Sequence, residues 1–246
     1  MRRLVVLCLA LVACGGSDPK PTLTVSAATS LKTAVTAYGQ DFGDAKVRAS
    51  FAGSDELAAQ IRQGVKPDVF ASANTTLPEA LYKEGLVEKP RVFAANRLVL
   101  AVPASGAKVA SIADLEKPGV TIAMGSATVP VGSYTRKVLA KLPAGESKAI
   151  LANVRSNEPD VGGVVGKVAQ GAVDAGFVYV TDVKGADGRL RAISLPEDLQ
   201  PQVAYGVAVV KGAKNPEQAK AFVDGLISGD GRKRLDEAGF LPPPGT

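Results

Sequence analysis

From residue 22 onward, stretches with strand character alternate with stretches whose apolar residues recur at helical spacing. That alternation constrains the chain more than any other feature. Strand–helix–strand order drives parallel pairing, with the helices packed on the sheet faces. The first unit runs from the strand-like 23–27 into Ser30, then Leu31, Ala34, Val35, Tyr38 and Phe42 at helical spacing. The second repeats the plan: strand-like 47–51, a break at Gly53-Ser54, then Leu57, Ala58 and Ile61. "KPDVFASA" (66–73) and a helix over about 76–84, with Pro78 in its first turn, make the third.

Two long strand-like runs, 91–103 and 201–213, bracket a second βα set. That set contains "GVTIAMG" (119–125), a helix carrying Tyr134, Val138, Leu139 and Leu142, a loop-to-helix unit over 155–171, and the buried strand "AGFVYVTD" (175–182). The chain closes with a helix bearing Ala219, Phe222, Val223, Leu226 and Ile227, then a shorter one. This order predicts two mostly parallel α/β lobes joined by two crossings, the first built from 22–95 and 212–246, the second from 96–211. In such sheets ligands sit at the carboxyl ends of the strands, where loops lead into helices.

The first 21 residues read as an address. Arg2 and Arg3 precede an apolar run over 4–12, too short to span a bilayer, and "LVAC" resembles the bacterial lipobox. Cleavage after residue 13 would leave Cys14 as the lipidated first residue, with 14–21 as a polar tether. Cys8 leaves with the signal, so the mature chain has no second cysteine for a disulfide. The chain is expected outside the cytoplasmic membrane, lipid-anchored and monomeric.

Composition removes several chemistries. The chain has no His, so Ser-His and Cys-His nucleophiles and the common zinc sites are unavailable. The formal charge of +5 falls to +3 once Arg2 and Arg3 leave, and no run of basic residues marks a nucleic-acid footprint. "GGVVGK" (162–167) fails as a phosphate loop: the glycine spacing is one residue short and Val168 replaces the Ser/Thr that holds magnesium. No GxSxG elbow or calcium-loop spacing occurs.

What remains is a set of helix starts. Ser30 and Ser54 stand where N-caps belong, and Ser is a favoured cap in any protein. Two of them at equivalent strand ends also place hydroxyls and free N–H groups where an anion could sit. "TVPVGSYTRKV" (128–138) and "NEPDVGGVVGKV" (157–168) enter helices through Val131 and Val161, offering backbone N–H groups only. Tyr179 ends an apolar strand, and its hydroxyl needs a partner if buried.

In this order, "VSAATSLKTA", "FAGSDELAAQI", "PDVFASA", "NRLVLAVP", "VPVGSYTRKVL", "DVGGVVGKV", "AGFVYVTDV" and "YGVAVVKG" resemble the molybdate-binding proteins of bacterial ABC importers. These belong to the type II periplasmic-binding-protein superfamily, and the resemblance spans roughly 22–243. It implies an α/β fold of two lobes, two mixed sheets flanked by helices, with a ligand cleft between them. It also implies a solute-binding protein rather than an enzyme, needing no cofactor, that captures molybdate or tungstate and delivers it to an importer's permease subunit. The family's tetrahedral oxyanion is held by two Ser, two backbone N–H groups and one Tyr, which carries over to Ser30, Ser54, Val131, Val161 and Tyr179. No side chain would ligate the metal itself.

Asp55 departs from the family's pattern. An acid in a helix's first turn is favourable in itself, but a carboxylate here could also accept the proton of hydrogen phosphate. Phosphate or sulfate therefore stands as the alternative ligand. A lipoprotein hydrolase acting through a Ser without His is the alternative from another class.

Overall fold

The computed structural model describes residues 20–245. The expected signal segment and Cys14 lie outside them. The first part of the chain forms β1 (Thr22–Ala28), α1 (Lys32–Asp41), β2 (Lys46–Ala52), α2 (Ser54–Arg62), β3 (Val69–Ser72), α3 (Thr76–Lys83) and β4 (Arg91–Asn96). After Arg97 come β5 (Leu98–Pro103), β6 (Ile122–Gly125), α4 (Pro130–Leu139), α5 (Ala144–Ala152), β7 (Val154–Glu158), α6 (Val161–Ala169), β8 (Ala175–Tyr179), α7 (Val180–Lys184) and β9 (Leu190–Ser194). The chain returns through β10 (Val203–Val209), α8 (Pro216–Ser228) and α9 (Asp230–Ala238).

Ten strands form two five-stranded sheets, ordered β2-β1-β3-β10-β4 and β7-β6-β8-β5-β9. In the first, β1 is parallel to β2 and β3, as the alternation predicts, while β10 is antiparallel to β3 and β4. The second repeats this: β6 is parallel to β7 and β8, and β5 is antiparallel to β8 and β9. The sheets are thus mixed rather than mostly parallel, for a topological reason. A strand arriving from the other lobe starts at the cleft, where the parallel strands end, so it runs the opposite way. The long run 91–103 is accordingly two strands, one in each sheet, broken at Arg97. The boundary expected at 211/212 also moves, because β10 pairs within the first sheet and the second crossing precedes Val203.

Helix placement follows the apolar stripes. Leu57, Ala58 and Ile61 of α2 pack with Phe70, Leu81 and Ala208 on one face of the first sheet. Asp55 and Glu56 in its first turn and Arg62 in its last complement the helix dipole. On the other face, Phe222 of α8 stacks on Tyr38 of α1 with centroids 4.5 Å apart. Each sheet is also fastened by a buried-edge carboxylate. Asp68 accepts from the Thr24 N–H and hydroxyl, both at 2.7 Å, and Asp174 accepts from the corresponding groups of Thr121 at 2.8 and 2.7 Å. These clamps tie β1 to β3 and β6 to β8 near their amino ends, and the carboxyl ends of these strands face the cleft.

Candidate functional site

Each lobe sends helix starts into one small cavity. From the first lobe, β1 runs into a single 3-10 turn (Thr29–Leu31) bearing Ser30, and β2 turns at Gly53 into α2, whose first residue is Ser54. From the second, Val129 and Pro130 lead into α4, Asp160 leads into α6, and Tyr179 ends β8. Ser30, Ser54, Val131, Val161 and Tyr179 all line this cavity. Its volume, about 20 Å³, compares with the ~10–15 Å³ that one ordered water needs, so it suits a small inorganic ion rather than a sugar or peptide.

The serines are not N-caps, contrary to expectation. Ala28 and Gly53 hold the cap positions, and neither helix start has a side-chain cap. The hydroxyls are engaged elsewhere. Ser54 Oγ accepts the Ala73 N–H at 3.1 Å, and Ser30 Oγ lies 3.0 Å from the Tyr205 hydroxyl. Local capping therefore does not compete for either side chain. In the second lobe the cap is Asp160, whose Oδ1 accepts the Gly163 N–H at 3.0 Å.

The polar groups here are poorly matched by the protein alone. The Tyr179 hydroxyl and Thr29 Oγ1 are buried and have no hydrogen-bond partner, though both residues line the cavity. Leaving such a group unsatisfied costs about 1–3 kcal/mol. Burial, reinforced by Tyr205, Tyr134 and Asp182, pushes the Tyr179 phenol well above its ordinary pKa, so it stays a donor at neutral pH. The first N–H groups of α2, α4 and α6 have no intrahelical acceptor by helix geometry, and three positive dipole ends converge there. No Lys or Arg lines the cavity, and Asp160 is its one acid. An arrangement of neutral donors without a counter-charge can surround a small, fully deprotonated anion.

Asp55 does not line this cavity. Its Oδ1 is buried without a partner and stands behind Gly53, 2.8 Å from where a Cβ on that glycine would fall. A larger groove of about 560 Å³ opens beside the cavity and contains Lys32, Asp182 and Lys184. Among the described residues no group of His, Cys, Asp and Glu could hold a metal ion, and no helix is long and apolar enough to cross a membrane.

Sequence reasoning missed Thr29 and the pair Asn96–Tyr205 behind Ser30, and read Gly53 and Asp160 only as parts of helix entries. The signal for Tyr205 was present: a Tyr in the apolar strand "VAYGVAVV" raises the same question of a buried hydroxyl as Tyr179. Nothing local marked Asn96, whose partners lie on three different segments.

Two lobes whose helix starts converge on one small cavity define the class of two-lobed solute-binding proteins. Residues 23–241 match the family model described as bacterial extracellular solute-binding protein, and the chain belongs to that family. It is 36% identical to the molybdate-binding protein ModA of Mycobacterium tuberculosis over 97% of this chain and 95% of that one. Among solved structures, the periplasmic molybdate-binding protein of Azotobacter vinelandii matches with TM-score 0.81 and 22% identity, covering 90% of this chain and 99% of that one. The sulfate-binding protein SubI of M. tuberculosis matches with the same TM-score at 17% identity, covering 90% and 87%. The periplasmic-binding-protein fold is therefore shared by proteins named for different oxyanions, and the ligand has to be argued from the site.

Proposed function

We propose that this protein captures molybdate or tungstate outside the cytoplasmic membrane and delivers it to the permease subunit of an ABC importer. In this reading Cys14 carries the lipid that holds the protein at the membrane surface. The observation that carries the ligand assignment is the buried, unpartnered Tyr179 hydroxyl in a cation-free cavity shared with Ser30 and Ser54. Molybdate and tungstate are fully deprotonated near neutral pH, so every oxygen accepts and none has a proton to place. Hydrogen bonds to such an ion are charge-assisted, hence shorter and stronger than neutral ones. The 36% identity to a molybdate-binding protein over nearly the whole chain supports the same ligand.

Hydrogen phosphate fits less well, because its proton needs an acceptor. Asp160 is the one carboxylate at the cavity and caps α6 through Oδ1, which leaves mainly its second oxygen for such a proton, and Asp55 stands outside the lining. Sulfate shares the charge of molybdate but has shorter bonds to oxygen, so cavity size is what discriminates.

Titration calorimetry with molybdate, tungstate, sulfate and phosphate tests this. Molybdate and tungstate are expected to bind, and at a hundredfold over Kd each should stabilise the fold by about 2.7 kcal/mol. Sulfate binding as tight as molybdate would overturn selection by size, and tight phosphate binding would overturn the ligand assignment.

A further inference from the structure

The Ser30 hydroxyl is able to give a proton or to receive one, and an anion site needs it to give. We infer that Tyr205, held by Asn96, settles that choice: it is a positioning residue that fills the acceptor side of the Ser30 oxygen and leaves the Ser30 proton for the cavity. This deepens the anion-capture reading and rests on it.

The direction follows from donors that cannot reverse. Asn96 is buried at the end of β4, next to the first crossing. Its Oδ1 accepts the Arg97 N–H at 2.9 Å, which fixes the way the amide faces. Its Nδ2 then donates to Thr181 Oγ1 at 2.9 Å and to the Tyr205 hydroxyl at 3.3 Å. An amide nitrogen has two protons to give and accepts none, so the Tyr205 oxygen is the acceptor in that bond. The Tyr205 proton still needs an acceptor, and Ser30 Oγ, 3.0 Å away in a buried setting, is the one it meets among the described residues, which is the inferred direction. Burial also raises the Tyr205 phenol well above its ordinary pKa, so the proton stays in place.

Ser54 reaches the same condition by a shorter route. The Ala73 backbone N–H donates to its Oγ, and again the remaining proton belongs to the serine. Both hydroxyls are thus held as donors before any ligand arrives, and preorganised donors avoid the cost of reorientation on binding. The network also lies where the chain crosses between lobes. Asn96 and Tyr205 sit on the paired strands β4 and β10 of the first sheet, whereas Thr181 belongs to α7, which follows β8 of the second. The Asn96–Thr181 bond therefore ties the aim of Ser30 to the approach of the second lobe.

The test is a double-mutant cycle. Affinities for molybdate, tungstate and sulfate are measured by calorimetry on the parent, Ser30→Ala, Tyr205→Phe and the double variant. Phe at 205 keeps the edge contacts with Phe93, Tyr179 and Phe240 and removes only the hydroxyl. Tyr205→Phe is expected to weaken binding about tenfold in the parent, the scale of one directed hydrogen bond to a charged ligand, and less than about twofold once Ser30 is Ala. Equal losses in both backgrounds would mean that Tyr205 acts through packing and would overturn the inference, as would an unchanged affinity in the parent background. Should Tyr205→Phe fail to fold, Asn96→Ala run through the same cycle gives the same decision, since it removes the N–H that sets the direction. A parent that binds none of the three anions overturns the capture reading and the inference together. A parent that binds while the cycle is additive overturns the inference alone.

Discussion

Gly53 offers the sharpest test of how the two lobes meet. A Cβ at this position would lie 2.4 Å from the carbonyl oxygen of Pro159, 2.8 Å from Asp55 Oδ1 and 3.4 Å from Val129 Cγ1. The backbone (φ −59°, ψ 137°) is one that alanine adopts freely, so Gly53→Ala brings no local strain. Asp55 can swing aside, because its carboxylate is the end of a side chain. Pro159 cannot, because its carbonyl is main chain entering α6, and Val129 likewise precedes α4 across the cleft. A carbon–oxygen contact relaxes at about 3.3 Å, so the facing segment must retreat by about 0.9 Å. Overpacking of this kind costs about 1–3 kcal/mol, which is about a 5- to 150-fold loss of affinity if the approach is needed for binding. In this reasoning the free protein relieves the clash by letting Pro159 and Val129 draw back from Gly53, without disturbing the packing of α2 on Phe70, Leu81 and Ala208. Calorimetry with molybdate should therefore show the loss, while the melting temperature without ligand moves little. Unchanged affinity would refute the idea that the bound form needs Gly53 against Pro159. A fall in ligand-free stability as large as the loss of binding would place the effect inside the first lobe instead.

Tyr179→Phe should separate binding from stability: molybdate affinity falls about 10- to 150-fold, for a lost hydrogen bond worth about 1.5–3 kcal/mol, while ligand-free stability holds or rises because a buried unpartnered hydroxyl is gone. Calorimetry and thermal melting read the two effects, and parent-like binding by the variant would remove Tyr179 from the site. Ser54→Ala should lower both, since the Ala73 N–H loses its acceptor as the ligand loses a donor; undiminished ligand-free stability in denaturant titration would count against that bond. Burial raises the Asp182 carboxyl from its ordinary 3.8 to about 7, so the folded state holds this proton more tightly than the unfolded chain. Its contribution is greatest below pH 4, declines as pH rises to 7, and is constant above, with a span of up to about 4 kcal/mol at about 1.4 kcal/mol per unit. Asp182→Asn keeps an acceptor for the Tyr179 N–H, now at 2.8 Å from Oδ2, and should be more stable than the parent at pH 8 but not at pH 4; parallel stability–pH curves would refute the shift.

The alternation of strands and helices was legible because the buried strands are almost wholly apolar, as in 69–72, 98–102 and 175–179. The edge strands of the second sheet, β7 and β9, were not. In β7, "VRSNE" alternates partly buried and exposed positions with short polar side chains, and it reads as loop until its pairing with β6 is seen. The antiparallel sense of β5 and β10 was equally hidden, since direction within a sheet depends on which lobe a strand arrives from. The five positions that line the cavity were legible as candidates because each stands at or next to a strand end or helix start, which are local features. Their hydrogen bonds were not. Ser30 meets Tyr205 across 175 residues and Ser54 meets Ala73 across 19, and a capping role, the local expectation for Ser, gave way to those contacts.

The absence of a cation from the cavity lining follows from what a capture protein must do twice. A Lys or Arg in so small a space would strengthen binding, but on release it would be left charged and buried, at a cost of several kcal/mol. Hydroxyls and helix N-terminal N–H groups attract an anion through partial charges that are already held by the fold. When the ion departs they leave no full charge uncompensated. Lys32 and Lys184 stand in the adjoining groove rather than against the cavity. Replacing Thr29, which lines both the cavity and the groove, with Lys would put a cation at the lining, and the outcome expected from this reasoning is slower ligand release rather than faster capture. Stopped-flow exchange between molybdate and tungstate measures the two rates. A variant that gained only in association rate would show that long-range attraction, and not the cost of an abandoned charge, is what neutral donors avoid.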